Sequence, residues 1–151
     1  MSDAATTTTS GNLVDRLSGL VEPVSHMIVL LAVRWMVATP FWNSYNAKKT
    51  GLLSMQEFQV DLFRDEFGMP FPWLSAHASF YAEFFLAIAL FIGLGTRIAA
   101  TGLLIMTMVI QVYVFDKADP HFLWALALIF LIYKGAGALS LDTLIGKYRS
   151  K

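Results

Sequence analysis

Residues 79–97 read SFYAEFFLAIALFIGLGTR, and this stretch decides the fold. It is free of proline and apolar almost throughout, with a single carboxylate, Glu83, a turn or two inside its start. A helix needs roughly 20 apolar residues to cross about 30 Å of hydrocarbon, and this run supplies them. An ionisable side chain at such depth costs on the order of 3 kcal/mol or more. Glu83 is therefore expected to face other helices and to meet a partner there.

The composition agrees with a membrane setting. Of 151 residues, 56% are hydrophobic and 15% charged, against about 45–50% and about 25% in soluble domains. The expected class is all-α: an integral membrane four-helix bundle with short interfacial amphipathic helices and no soluble domain. The formal net charge is +0, so no polybasic surface marks nucleic acid as a partner, and the lipid bilayer is the one partner the composition demands. Cysteine is absent, which excludes disulfides, thiolate metal sites and thiol redox chemistry by this chain itself. A redox role would need a bound carrier or a second protein.

Outward from residues 79–97, the chain divides into a polar tail, a membrane domain and a short basic tail. Residues 1–11, MSDAATTTTSG, cannot bury enough apolar surface to fold and read as disordered. They also lack the charged and apolar regions of a secretory signal, so the first hydrophobic segment is expected to stay in the mature protein. Leu13, Leu17, Leu20 and Val21 fall at helical spacing, predicting an amphipathic surface helix over residues 12–22. The membrane domain, residues 12–145, is expected to hold spans at about 24–45, 76–95, 98–115 and 122–138. Pro40 should kink the first. Between the first two spans lies a long polar segment, residues 46–75, in which Ser54 and Glu57 predict a capping box opening a helix over about 55–67. DKADPH, residues 116–121, joins the third span to the fourth, and residues 146–151 form the basic tail.

Lysine and arginine set the orientation. Arg16, Arg97, Lys134, Lys147, Arg149 and Lys151 fall on the side holding both termini, against Lys48, Lys49, Arg64 and Lys117 opposite. Both termini are thus expected to be cytoplasmic. At 1.5 Å rise per residue, Glu83 lies about 10 Å below the outer end of its span and Arg34 about 16 Å below that of the first. These depths predict a buried Arg34–Glu83 ion pair, either purely structural or lining a site. Other polar side chains gather at the outer level: Asn43 and Tyr45 end the first span, His77 and Tyr81 lie one turn apart on the second, Gln111 and Tyr113 end the third, and His121 opens the fourth. Asn43, His77, Tyr81, Gln111 and His121 are the candidate ligand-binding residues, although each alone reads as an interfacial anchor. His26 begins the first span and reads as a solvated end residue. No helix carries two ligands at metal-binding spacing, so no metal site is expected. His77 and His121 sit at span ends, poorly placed as axial haem ligands, and the methionines read as core filling.

Several of these residues carry a resemblance. Arg34 followed by Lys48, Glu83 with Gly93, Thr96 and Arg97 in E-x9-G-x2-T-R, and the ending Gly135-x-Gly137-x-Leu139-Ser140-Leu141-Asp142 resemble the DoxX-like family of small four-span bacterial membrane proteins. The resemblance runs from about Leu30 to Leu144. Ala38 stands where the family has a glycine after the first-span arginine, Gly135-Ala136-Gly137-Ala138 stands for its usual G-P-G-R, and the insert over residues 46–75 is longer than usual. The family is named for a subunit associated with thiosulfate oxidation coupled to quinone, and other members look like membrane partners in redox stress complexes. The resemblance therefore implies a bacterial inner-membrane protein that binds a quinone-type carrier or supports a redox partner, with Gly93, Arg97, Gly135, Gly137, Ser140 and Asp142 as structural motif residues. Any enzymatic role would be as a subunit of a quinone-linked oxidoreductase. Arg34 or His77 would donate to a quinone oxygen while Glu83 relays its proton. The alternatives are a scaffolding subunit without ligand, alone, as a homo-oligomer or with a membrane partner, and, more weakly, a small-solute transporter.

Overall fold

The computed structural model describes residues 8–113 and 121–149, of which residues 8–23 are described by their backbone alone. Six helices follow in chain order: α1 (Thr8–Lys48), α2 (Phe58–Asp65), α3 (Pro72–Ile92), α4 (Thr96–Tyr113), α5 (His121–Lys134) and α6 (Leu141–Arg149). The described residues contain no strand, only one isolated antiparallel bridge between Lys49 and Met55 in the connection after α1.

Among the described residues, three helices are long and apolar enough to cross a membrane: the Val24–Lys48 portion of α1, α3 and α4. They are joined by α5, which has 14 residues and so reaches about 21 Å, short of a full crossing. The helix ends at Gly135, whose φ of +80° an L side chain resists, so the span expected over residues 122–138 stops four residues early. The contacts run α1 against α3 and α5, and α4 against α3 and α5, closing a ring. We call the end where α1 finishes and α5 starts the loop end, and the end holding Gly93–Gly95 and Gly135–Ser140 the turn end.

The core of that ring is built from small and branched side chains: Val37 and Ala38 of α1, Ala87 and Leu90 of α3, Ala99, Ala100 and Leu103 of α4, Leu128 and Leu131 of α5. Alanines at facing positions let helix axes approach closely, which is how helices associate where lipid removes the hydrophobic drive between them. At the loop end the packing turns aromatic. Tyr45 is fully buried against Phe80 and Phe84, with ring centroids 5.0 and 4.9 Å away. Its hydroxyl donates to the Leu52 carbonyl at 2.5 Å, tying the connection to the bundle. Outward from the ring, Ile28, Val29 and Trp35 of α1, Ile98, Ile105 and Val112 of α4 and Phe122 of α5 are exposed and apolar, as a lipid-facing surface requires.

Three local expectations are corrected. The surface helix over residues 12–22 and the first span are one continuous helix that begins at Thr8, within the stretch read as a tail, and passes through both Pro23 and Pro40. Proline interrupts one hydrogen bond, and membrane helices tolerate that where neighbours re-satisfy the backbone. The capping box does not form: Glu57 itself is the N-cap of α2 and makes no side-chain cap bond, so Ser54 lies three residues before the helix start, where its carbonyl closes the preceding turn onto Thr50 and Gly51. As a result α2 is shorter than expected, Phe58–Asp65. Residues 1–7 of the tail and most of the DKADPH loop lie outside the described residues.

Candidate functional site

α3 meets α1 through two polar pairs at i, i+4 spacing. Ser44 and Lys48 share one face of α1, Ser79 and Glu83 share one face of α3, and the two faces oppose each other. Lys48 Nζ lies 2.7 Å from Glu83 Oε1. Ser44 and Ser79 also donate to that same oxygen, at 3.1 and 3.3 Å. Glu83 is 1% exposed, and Lys48, in the last turn of α1, is 18% exposed. The lysine stem thus runs along the bundle and brings its ammonium down to a buried carboxylate.

This pair floors a cavity of about 310 Å³ at the loop end. Pro40, Phe41 and Trp124 form apolar walls, and α2 closes the top with Gln59, Leu62 and Phe63. Gln59 and Phe63 are both buried, one helical turn apart, whereas Asp61, Arg64 and Asp65 on the opposite side of α2 are exposed. The amphipathic pattern of α2 therefore directs one amide into an otherwise apolar roof. His121, at the first turn of α5, is buried and lines the same cavity. A second, almost wholly apolar slot of about 270 Å³ adjoins it between α3 and α4, sharing Phe63, Ser79 and Ile110 with the first. Ala78, Ala82 and Gly102 line this slot, small residues that leave the space open.

Arg34 is not the partner of Glu83. Its guanidinium sits at the turn end, donating through Nη1 to the carbonyls of Ala136 (2.6 Å) and Leu139 (2.9 Å) and through Nη2 to that of Phe91 (3.3 Å). A Cβ added at Gly93 would stand 2.7 Å from Arg34 Nη1, so the guanidinium lies level with Gly93. Glu83 is ten residues before Gly93, roughly 15 Å along the axis. The depth estimate misplaced Arg34 because α1 continues as helix to Lys48 and the arginine side chain reaches away from the loop end.

The turn end gathers the remaining motif residues. Gly93 closes α3 with φ +71°, and its carbonyl accepts from Asp142 N–H at 3.0 Å. The Asp142 carboxylate accepts from the backbone N–H groups of Gly95 and Thr96, at 2.7 and 3.0 Å. A residue from the far end of the chain thereby caps the start of α4, where unsatisfied N–H groups and the helix dipole favour an anion. Ser140 donates to the Gly137 carbonyl at 2.6 Å and accepts from Thr143 N–H at 3.2 Å. Gly137 packs against Leu30, where an added Cβ would come within 2.8 Å. Arg97 is exposed and reaches the Tyr133 carbonyl at 3.4 Å, beside Gly135.

Of the candidate ligand-binding residues, His121 alone lines the cavity over Glu83. His77 stacks on Trp73, centroids 4.3 Å apart, and with Tyr81 lines a separate surface groove below Leu53 and Ser54. The Tyr81 hydroxyl donates to the Leu53 carbonyl at 3.3 Å, holding the connection. Asn43 is exposed on α1 and Gln111 half-buried on α4, neither lining that cavity. Sequence reasoning missed Lys48 and Gln59 as site residues. The signal for Lys48 was present in the facing pairs Ser44/Lys48 and Ser79/Glu83; Gln59 carried none beyond being polar on the apolar side of α2.

No curated protein and no solved structure matches the chain. The family model of DoxX proteins matches residues 29–116, more than half the chain, covering α1 from Val29 through α4, with Arg34, Lys48, Glu83 and Gly93 all inside the match. The Gly135–Asp142 ending lies beyond it. With that match added to an all-helical architecture of membrane-crossing length, the chain belongs to the DoxX family of small membrane proteins.

Proposed function

We propose that this chain binds a quinone-type redox carrier in the cavity under α2 and serves a membrane redox partner. In the same reading it resides in the bacterial inner membrane as a four-span protein with both termini cytoplasmic. The observation that carries the reading is the cavity itself: about 310 Å³, within the range of about 300–1,000 Å³ typical of small-molecule sites. Its walls are apolar and aromatic, with a buried carboxylate paired to a half-buried lysine at one end. Lys48 supplies an ammonium for a ring oxygen, and Glu83 a carboxylate able to exchange a proton with it. These two residues replace Arg34 and His77, whose bonds are made elsewhere. The adjoining apolar slot between α3 and α4 gives a lipophilic tail a path toward the bilayer.

Trp124 lines the cavity, so titrating the purified protein with a short-tailed benzoquinone should quench tryptophan emission saturably. Trp124→Phe should remove most of that quenching while equilibrium dialysis still detects binding. Absence of saturable binding by dialysis would favour a scaffolding subunit instead. The orientation is tested separately: an impermeant maleimide should label a cysteine at Ser54 in intact cells and leave one at Lys147 unlabelled, and the reverse pattern would invert it.

A further inference from the structure

The two oxygens of Glu83 are unequally used. Oε1 takes three donors, Lys48, Ser44 and Ser79, while no donor among the described residues reaches Oε2, although that atom is buried. The side-chain oxygen of Gln59, on the roof of the same cavity, is in the same condition. An ionised carboxylate accepts at about four lone-pair positions, and a buried acceptor left unmade is the costly state of a polar group. Two such acceptors, each on a residue no more than 6% exposed, belong to side chains that line one cavity from different elements, α3 and α2. A ligand that only accepts hydrogen bonds would leave both unsatisfied.

Taking this cavity as the ligand site proposed above, we infer that it selects the hydroxyl-bearing form of its ligand, a hydroquinone or related phenol, whose ring hydroxyls donate to Glu83 Oε2 and to the Gln59 side-chain oxygen. Lys48, Ser44 and Ser79 occupy Oε1, which leaves Oε2 as the acceptor for a donor from the ligand. The apolar walls of Phe41, Phe63 and Trp124 accommodate the ring and offer few competing donors.

Three probes decide it, each titrated against the full-length protein in detergent: a short-tailed benzoquinone, its hydroquinone kept reduced, and the hydroquinone's bis-methyl ether, which retains the ring but has no donors. The hydroquinone should bind roughly tenfold or more tightly than either of the others, the scale of discrimination when one buried acceptor goes unmade. Gln59→Leu, which removes one acceptor and keeps the apolar roof, should narrow that preference. Since Glu83→Ala could unfold the bundle, Glu83→Gln is the safer variant, and it should weaken hydroquinone binding more than quinone binding. A quinone or bis-ether that binds as tightly as the hydroquinone would overturn the inference and leave quinone-type binding standing. Failure of all three probes to bind would remove both.

Discussion

Lys48 and Glu83 meet at 2.7 Å across the α1–α3 interface, one from the last turn of its helix and the other from the middle of its own. The contact explains how a carboxylate survives inside an apolar helix: the charge is compensated by a lysine whose stem can lie along apolar surface, and by two serines on the same two faces. Removing one member of such a pair leaves the other buried and uncompensated, which costs about 3–5 kcal/mol in soluble proteins. Lys48→Met should accordingly lower the thermal midpoint in detergent sharply, whereas the double variant Lys48→Met with Glu83→Met should regain much of the loss. A single variant as stable as the parent would show that the pair contributes nothing.

Asp142 is expected to matter for the start of α4, far from it in sequence. Its two oxygens satisfy the Gly95 and Thr96 N–H groups, and losing a cap of this kind typically costs about 0.5–2 kcal/mol. Asp142→Ala should fall in that range by thermal unfolding. Asp142→Asn, which retains one oxygen acceptor and no charge, should lose less. Equal losses for the two would mean that the carboxylate's charge, and not its bonds to α4, carries the effect.

Two glycines with similar backbone angles separate strain from crowding. Gly68 has φ +56° and open space where a Cβ would stand, so Gly68→Ala should cost only the left-handed penalty of about 1–2 kcal/mol. Gly93 has φ +71°, and a Cβ there would come within 2.6 Å of Ser140 Cβ as well as 2.7 Å of Arg34 Nη1. Gly93→Ala should cost clearly more than Gly68→Ala, because it pushes apart the segments that Arg34 and Asp142 join. Chemical denaturation of the two variants side by side measures the difference.

Much of this arrangement was legible in the sequence and one decisive part was not. Long apolar runs fall where α1, α3 and α4 form, and Gly93 with the GLGTR turn predicts two antiparallel helices, since a left-handed glycine both ends a helix and reverses the chain. Glu83 was rightly singled out as a buried group needing a partner. The partner was misread because a depth estimate measures position along one axis from an assumed span end, and α1 runs past that end to Lys48. A further reason is that long cationic side chains travel several ångströms from their Cα. Lys48 reaches inward to Glu83, while Arg34 reaches toward the carbonyls of Ala136, Leu139 and Phe91. The roof of the cavity was beyond any one-helix reading, because Gln59 becomes a site residue only when α2 folds back over α3.

Ala82 tests the slot between α3 and α4. It lines that space together with Gly102, so Ala82→Leu should fill it, and a long-tailed quinone should lose affinity while a tailless benzoquinone retains it. Ile92→Leu, on the exposed end of α3, should change neither. Equal weakening of both ligands would indicate that the leucine distorts the helix contact and does not block a tail.

The separation of Arg34 from Glu83 has its own thermodynamic signature. Sites more than about 7–10 Å apart with no shared partner lose stability additively, to within about 0.5 kcal/mol, and these two groups lie roughly 15 Å apart along the bundle with no partner in common. Arg34→Gln leaves the carbonyls of Ala136, Leu139 and Phe91 without their forked donor, while Glu83→Gln strips the counter-charge from Lys48. Their losses in thermal or denaturant unfolding should sum in the double variant. The charge exchange, Arg34→Glu with Glu83→Arg, should be worse than either single change, since it sets a carboxylate among carbonyl oxygens at the turn end and a guanidinium against Lys48 at the loop end. Recovery of stability in the exchanged protein would mean that the two side chains do meet, and the cavity over Lys48 and Glu83 would then lack the floor on which ligand binding is argued.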